Sequence, residues 1–173
     1  MIKKNIVLIG MMGAGKTTIG FKLAKKLNYR FIDIDSEIEK LEKQKIIDIF
    51  NLKGESYFRR IEEKISLDNL DRNNTIISLG GGAFINDKIR KKVKKNSCSF
   101  WLSWNFRTIL ARISKNKRRP LALKLNNKNL ASLYRKRAKF YKLSDFKVKC
   151  ENKNKNEIIN EISKIIKNEN PSD

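Results

Sequence analysis

The residues Gly10-Met-Met-Gly-Ala-Gly-Lys-Thr17 set three glycines beside one cation and one hydroxyl. They fit G-x-x-x-x-G-K-[ST], a loop whose backbone amides surround the phosphates of a nucleotide. Before the loop, Asn5-Ile-Val-Leu-Ile9 is an apolar run suited to a buried parallel strand. After it, Thr18 to Leu27 places Ile19, Leu23 and Leu27 on one helical face. Strand, glycine loop and helix aim several N–H groups and the positive end of a helix at one anion. Gly13, Ala14, Gly15, Lys16, Thr17 and Thr18 are therefore the expected seat of a nucleoside triphosphate. Lys16 would reach the β- and γ-phosphates, and the Thr17 hydroxyl would sit on Mg²⁺. Phosphoryl transfer then needs positioning, charge neutralisation and an acceptor.

Three further groups could serve that acceptor. Asp33 and Asp35 stand two apart in the strand expected over Arg30–Asp35, which would turn both to the same side. One would hold Mg²⁺ through water while the other meets an acceptor hydroxyl; a strand-end turn is the alternative. Gly80-Gly-Gly82 follows the strand expected over Asn74–Leu79 and lets backbone approach a ligand closely, or forms a plain turn. Arg118-Arg-Pro120 lies in an irregular stretch over Lys115–Asn127. Pro120 biases Arg119 towards an extended conformation. There it could close over a transferred phosphate, or remain in a solvated basic loop.

The elements that must position these groups alternate along the chain. Ser36 with Glu39 predicts a capped helix from Glu37. Helices are expected over Ile46–Phe50, Ser56–Leu70, Asp87–Lys95, Asn105–Ser114, Asn129–Lys142 and Glu157–Lys167, with further strands over Ser99–Leu102 and Phe146–Cys150. Glu151-Asn-Lys-Asn-Lys-Asn156 reads as a solvated turn before the last helix. This alternation implies an α/β, three-layer P-loop NTPase-type fold: a central five-stranded parallel sheet, helices on both faces, and a mobile lid. Ligands of such sheets gather outside the carboxyl ends of the strands, where the three groups above fall.

Composition narrows the classes. The 173 residues suit a single domain, here expected to be a kinase domain over 1–173. No apolar run reaches the length of a membrane span, and Met1-Ile-Lys-Lys-Asn5 runs straight into the first strand, leaving no room for a signal peptide. The chain has no histidine and two distant cysteines, Cys98 and Cys150, which excludes Cys/His zinc motifs and a histidine base. A reducing cytoplasm is the expected compartment. The formal charge of +22 raises a nucleic-acid-binding ATPase as an alternative. Lysine is scattered, however, and no aromatic-flanked basic motif accompanies it, so no nucleic-acid partner is expected. The guanine tetrad N-K-x-D is absent, and the third strand carries no terminal acid. These point to a small-molecule or nucleotide kinase.

With these motifs in order, the chain resembles the shikimate kinase family from Asn5 to about Ile166. The resemblance rests on the phosphate loop, Asp33-Ile-Asp35, Phe50, Gly54-Glu-Ser-Tyr-Phe-Arg59-Arg-Ile-Glu62, Gly80–Gly82, Arg118-Arg-Pro-Leu121 and Arg137-Ala-Lys-Phe-Tyr141. It implies transfer of the ATP γ-phosphoryl group to the 3-hydroxyl of shikimate, towards chorismate and the aromatic amino acids. It further implies Asp35 as base, Asp33 near Mg²⁺, Arg59 and Arg137 on the shikimate carboxylate, and Gly81 and Gly82 beneath the ring. Phe50 and Phe58 match apolar pocket positions. Arg119 corresponds to the lid arginine (lid about 114–127), and Arg112 lies where an arginine stacks on adenine. The acceptor segment would cover about 34–62, and a monomer binding ATP and shikimate is expected. Two departures stand out: Lys139 and Phe140 replace the proline and leucine that usually precede the tyrosine, which would loosen the segment holding Arg137. Ala122 replaces a leucine, which would alter lid packing and leave the chemistry unchanged.

Overall fold

The first strand, Asn-Ile-Val-Leu-Ile, shows no polar alternation because both faces of the sheet are covered there, the condition under which parallel strands become continuously apolar. β1 (Asn5–Ile9) is buried along its whole length, as is β3 (Thr75–Ser78). β4 (Ser97–Ser103) flanks β1 on the other side, while β2 (Arg30–Asp33) and β5 (Phe146–Lys149) form the more exposed edges. The computed structural model, which describes residues 5–114 and 127–169, orders them β2-β3-β1-β4-β5, every pair parallel. Asn5 opposes Thr75 on one side and Ser97 on the other. The buried Asn5 amide fixes this register by donating to Leu70 O at 3.3 Å and to Arg72 O, while its Oδ1 accepts from Thr75 N at 3.2 Å.

The helices are α1 (Lys16–Leu27), α2 (Ile34–Glu42), α3 (Ile46–Leu70), α4 (Asp87–Asn96), α5 (Phe106–Ser114), α6 (Asn127–Tyr141) and α7 (Lys155–Glu169). They cover both faces of the sheet, α1 packing against α7 and α3 against α4. The two helices expected over 46–70 are one run broken at Gly54, whose angles (φ 80°, ψ 169°) lie outside the helical region. Because all strands are parallel, their carboxyl ends at Ile9, Asp33, Ser78 and Ser103 share one edge of the sheet. The chain reaches one side of β1 through β2 and β3 and the other through β4 and β5, so the crevice opens at the end of β1.

One local expectation is corrected. β2 stops at Asp33 and the backbone turns helical at Ile34, so Asp33 and Asp35 do not share a strand. Asp33 rather than Ser36 caps α2, its Oδ1 accepting from Ser36 N at 3.3 Å. With Asp33 accepting from its amide, Ser36 lies inside the first turn of the helix and not at its cap. Glu39 instead caps the following helix, accepting from Ile46 N at 3.1 Å.

Candidate active site

The phosphate loop turns at Gly13 (φ 80°) and Gly15 (φ 89°), left-handed backbone that a side chain would strain. Gly15 is the N-cap of α1 and offers no capping side chain, and the first turn of α1 contains no acid. The positive end of the helix therefore faces the loop uncompensated. Lys16 is buried, its Nζ donating to Gly10 O at 2.9 Å and Met11 O at 3.1 Å. Thr17 Oγ1 donates to Asp33 Oδ2 at 2.6 Å. The two proposed metal ligands thus meet across sixteen residues of sequence.

Asp35, one step into α2, serves a different place. Its Oδ1 lies 2.9 Å from where a Cβ on Gly80 would stand, and Glu62 Oε1 lies 2.5 Å from the same point. The next two glycines repeat the relation: a Cβ on Gly81 would meet Arg137 Nη1 at 2.9 Å, and one on Gly82 would meet Arg59 Nη1 at 2.6 Å. Each glycine after β3 therefore leaves volume that charged side chains fill, two at Gly80 and one each at Gly81 and Gly82. Gly81 also approaches the phosphate loop, its Cβ position being 3.5 Å from Met12 N. Asp35, Arg59, Arg137 and the glycine triplet thus converge beside the Gly10–Thr17 loop.

Charge pairing holds this wall. Glu62, 3% exposed, accepts from Arg59 Nη1 at 2.6 Å. Burial raises the Glu62 pKa, only partly countered by Arg59. Burial opposes the Arg59 charge as well, but Glu62 and Glu55 outweigh it and hold the guanidinium pKa up. Arg137 is 4% exposed and its Nε, buried, has no hydrogen-bond partner among the described residues. A buried cationic donor without a partner is costly unless an anion completes it. Tyr141, its pKa pushed up to about 12 by burial, donates to Gly81 O at 2.5 Å and so ties α6 to the triplet. Phe50 and Phe58 stack 4.5 Å apart near Arg59, which lies over Phe58. α6 continues unbroken through Lys139 and Phe140, because neither residue lacks the N–H or carries the ring by which proline ends a helix.

The other wall was only half visible in the sequence. A cavity of 690 Å³ is lined by Gly13, Ala14, Gly15, Trp104, Arg112 and the turn Lys153–Asn156 among others. Arg112 lines it, with its Cζ 3.6 Å from the Trp104 ring centroid. The turn expected to be merely solvated forms one side. Asn154 caps α7 through its Oδ1, and Glu157 Oε2 accepts from Asn154 N at 2.6 Å. That Asn-x-x-Glu box was readable; its place opposite the loop was not. Glu62 was legible as part of the Phe-Arg-x-x-Glu motif but its pairing with Arg59 was not, and Trp104 was missed, since an aromatic just before a helix carries no local signal. Arg119 and Ala122 lie outside the described residues.

Among the described residues no cluster of three or more His, Cys, Asp or Glu side chains could hold a metal ion, and no helix is long and apolar enough to cross a membrane. Cys98 and Cys150 form no disulfide among the described residues.

The family model "Shikimate kinase" matches residues 12–167. A shikimate kinase of Persephonella marina is 43% identical over 92% of this chain and 96% of its own. The structure of Acinetobacter baumannii shikimate kinase in complex with shikimate superposes with a TM-score of 0.91 at 30% identity, covering 96% of this chain and 94% of that one. A deoxyadenosine kinase from M. mycoides, at 18% identity and a TM-score of 0.64 over 95% of this chain and 98% of its own, shares the fold alone.

Proposed function

The chain belongs to the shikimate kinase family, and we propose that it transfers the γ-phosphoryl group of ATP to the 3-hydroxyl of shikimate, giving shikimate 3-phosphate and ADP. The observation that carries this reading is the contact of the glycine triplet with both halves of the crevice. A Cβ on Gly81 would stand 2.9 Å from Arg137 Nη1 and 3.5 Å from Met12 N of the phosphate loop, so an acid held by Arg137 would lie next to the transferred phosphate. Arg59 and Arg137 take the shikimate carboxylate, arginine's planar fork being the natural clamp for it. Gly81 and Gly82 seat the ring, with Phe50 and Phe58 against its apolar side. Asp35 accepts the proton of the attacking hydroxyl, and that oxygen forms the new bond to phosphorus as the bond to the ADP oxygen breaks.

On the donor side the amides from Gly13 to Thr18 and the Lys16 ammonium hold the phosphates, and Arg112 takes the adenine. Arg119 neutralises charge on the transferred group, in a lid proposed over about 114–127, while 34–62 forms the acceptor segment. Thr17 and Asp33 fit Mg²⁺: one hydroxyl and one carboxylate already in contact supply too few ligands for a stand-alone site but suit an ion completed by phosphates and water. The ion supplies charge neutralisation between phosphate oxygens. We place the enzyme in the cytoplasm as a monomer without a nucleic-acid partner. ADP release measured against shikimate, gluconate and nucleoside monophosphates tests the assignment. Turnover with shikimate alone is expected, and failure with shikimate would overturn it.

A further inference from the structure

We infer that Trp104 is a positioning residue for the nucleotide, fixing both the phosphate loop and the arginine that receives the base. The inference rests on the donor-side reading above. Trp104 follows β4 at the same sheet edge as the loop and is 8% exposed. Its indole Nε1 donates to Ala14 O at 3.0 Å. That carbonyl belongs to the peptide plane whose other end is the Gly15 N–H. Because the plane is rigid and trans, holding the carbonyl outward turns the Gly15 amide the opposite way, towards the phosphate seat. Ala14 sits between two left-handed glycines, so without that bond this peptide could rotate more freely than any other in the loop.

The same indole supports Arg112. The guanidinium lies over the ring, with Cζ 3.6 Å from the centroid, and Nη1 donates to Gly13 O at 3.4 Å. A guanidinium stacked on an aromatic loses little further freedom on receiving a second planar partner. One face of Arg112 is thus covered by Trp104, leaving the other for adenine. Trp104 is in turn held from behind, its own carbonyl accepting from Tyr134 Oη at 2.7 Å. Trp104 also packs in the buried core, but its N–H and the ring face under Arg112 both go to nucleotide-side groups.

The test is Trp104→Leu and Trp104→Phe, read as ADP affinity by calorimetry and as KM for each substrate. Trp104→Leu loses the hydrogen bond and the stack, and should raise the ATP KM and ADP Kd about tenfold. Trp104→Phe keeps the ring under Arg112 and should raise them only about threefold. The shikimate KM should stay within about twofold in both, because the indole's hydrogen bond and its stack both lie on the nucleotide side. An ADP Kd unchanged in Trp104→Phe, or ATP and shikimate KM rising together, overturns the inference. If Trp104→Leu does not fold, the Trp104→Phe values decide. ADP binding needs no acceptor, so this result stands apart from whether shikimate is the substrate.

Discussion

The two walls of the crevice use glycine for opposite purposes. In the phosphate loop, Gly13 and Gly15 adopt backbone angles that side chains resist, and the ligand groups are amides. After β3, no left-handed angle is involved; Gly80, Gly81 and Gly82 are small so that charged side chains can fill the space above them. The donor wall is consequently a shaped backbone steadied by an indole, whereas the acceptor wall is a packed set of charges. Damage to the first should weaken nucleotide binding, and damage to the second should misplace the acceptor while ADP still binds.

Asp35→Asn should give the largest effect, lowering kcat about 10³-fold with ADP affinity nearly unchanged, since a general base contributes on that order. Near-normal turnover would assign the proton elsewhere. Gly80→Ala comes next. Its methyl would displace Glu62 and Asp35 oxygens 2.5 and 2.9 Å away, and misplacement of about 1 Å can cost about 10²-fold in rate. Calorimetry should still find ADP bound; parallel loss of ADP binding would erase the distinction between the walls. Arg137→Ala should raise the shikimate KM about 10- to 100-fold through the lost charged contact. An unchanged KM would leave Arg59 as the sole clamp.

The smallest effect concerns pH. In the fold, burial makes Glu62 hold its proton more tightly than the ordinary carboxylate value of 4.5. Folding therefore takes up a proton in the window above 4.5, and the stability that this group contributes falls as pH rises through it. Thermal melts of Glu62→Gln across that window should show a flatter pH dependence than the parent protein. Identical slopes would mean that Arg59 fully compensates the burial.

The parts of this plan that sequence reveals are those governed by local rules. The apolar runs of β1 and β3, the periodicity of α1 and the loop motif place strand, turn and helix within a residue or two. Strand order is not local: nothing in Asn5–Ile9 states that β3 and β4, rather than β2, will flank it. The strand-pair expectation for Asp33 and Asp35 failed because a side-chain cap decided where β2 ended. Asn154, Lys155 and Asn156 are exposed, as their polarity suggests, yet they also line the cavity, which polarity alone does not report. The glycine triplet was read as open backbone, and only three-dimensional placement of Glu62, Arg137 and Arg59 shows that its openness is occupied.

The ammonium of Lys16 rests on the carbonyls of Gly10 and Met11, and this has a consequence for discrimination among anions. The ammonium is thus already shared between two oxygen atoms, and an anion that recruits it must compete with both. A lone orthophosphate offers little to offset such a rearrangement; a chain of three phosphates, spanning amides and ammonium together, offers much more. Orthophosphate is therefore expected to compete weakly with ATP, which inhibition of ADP formation by added phosphate would read.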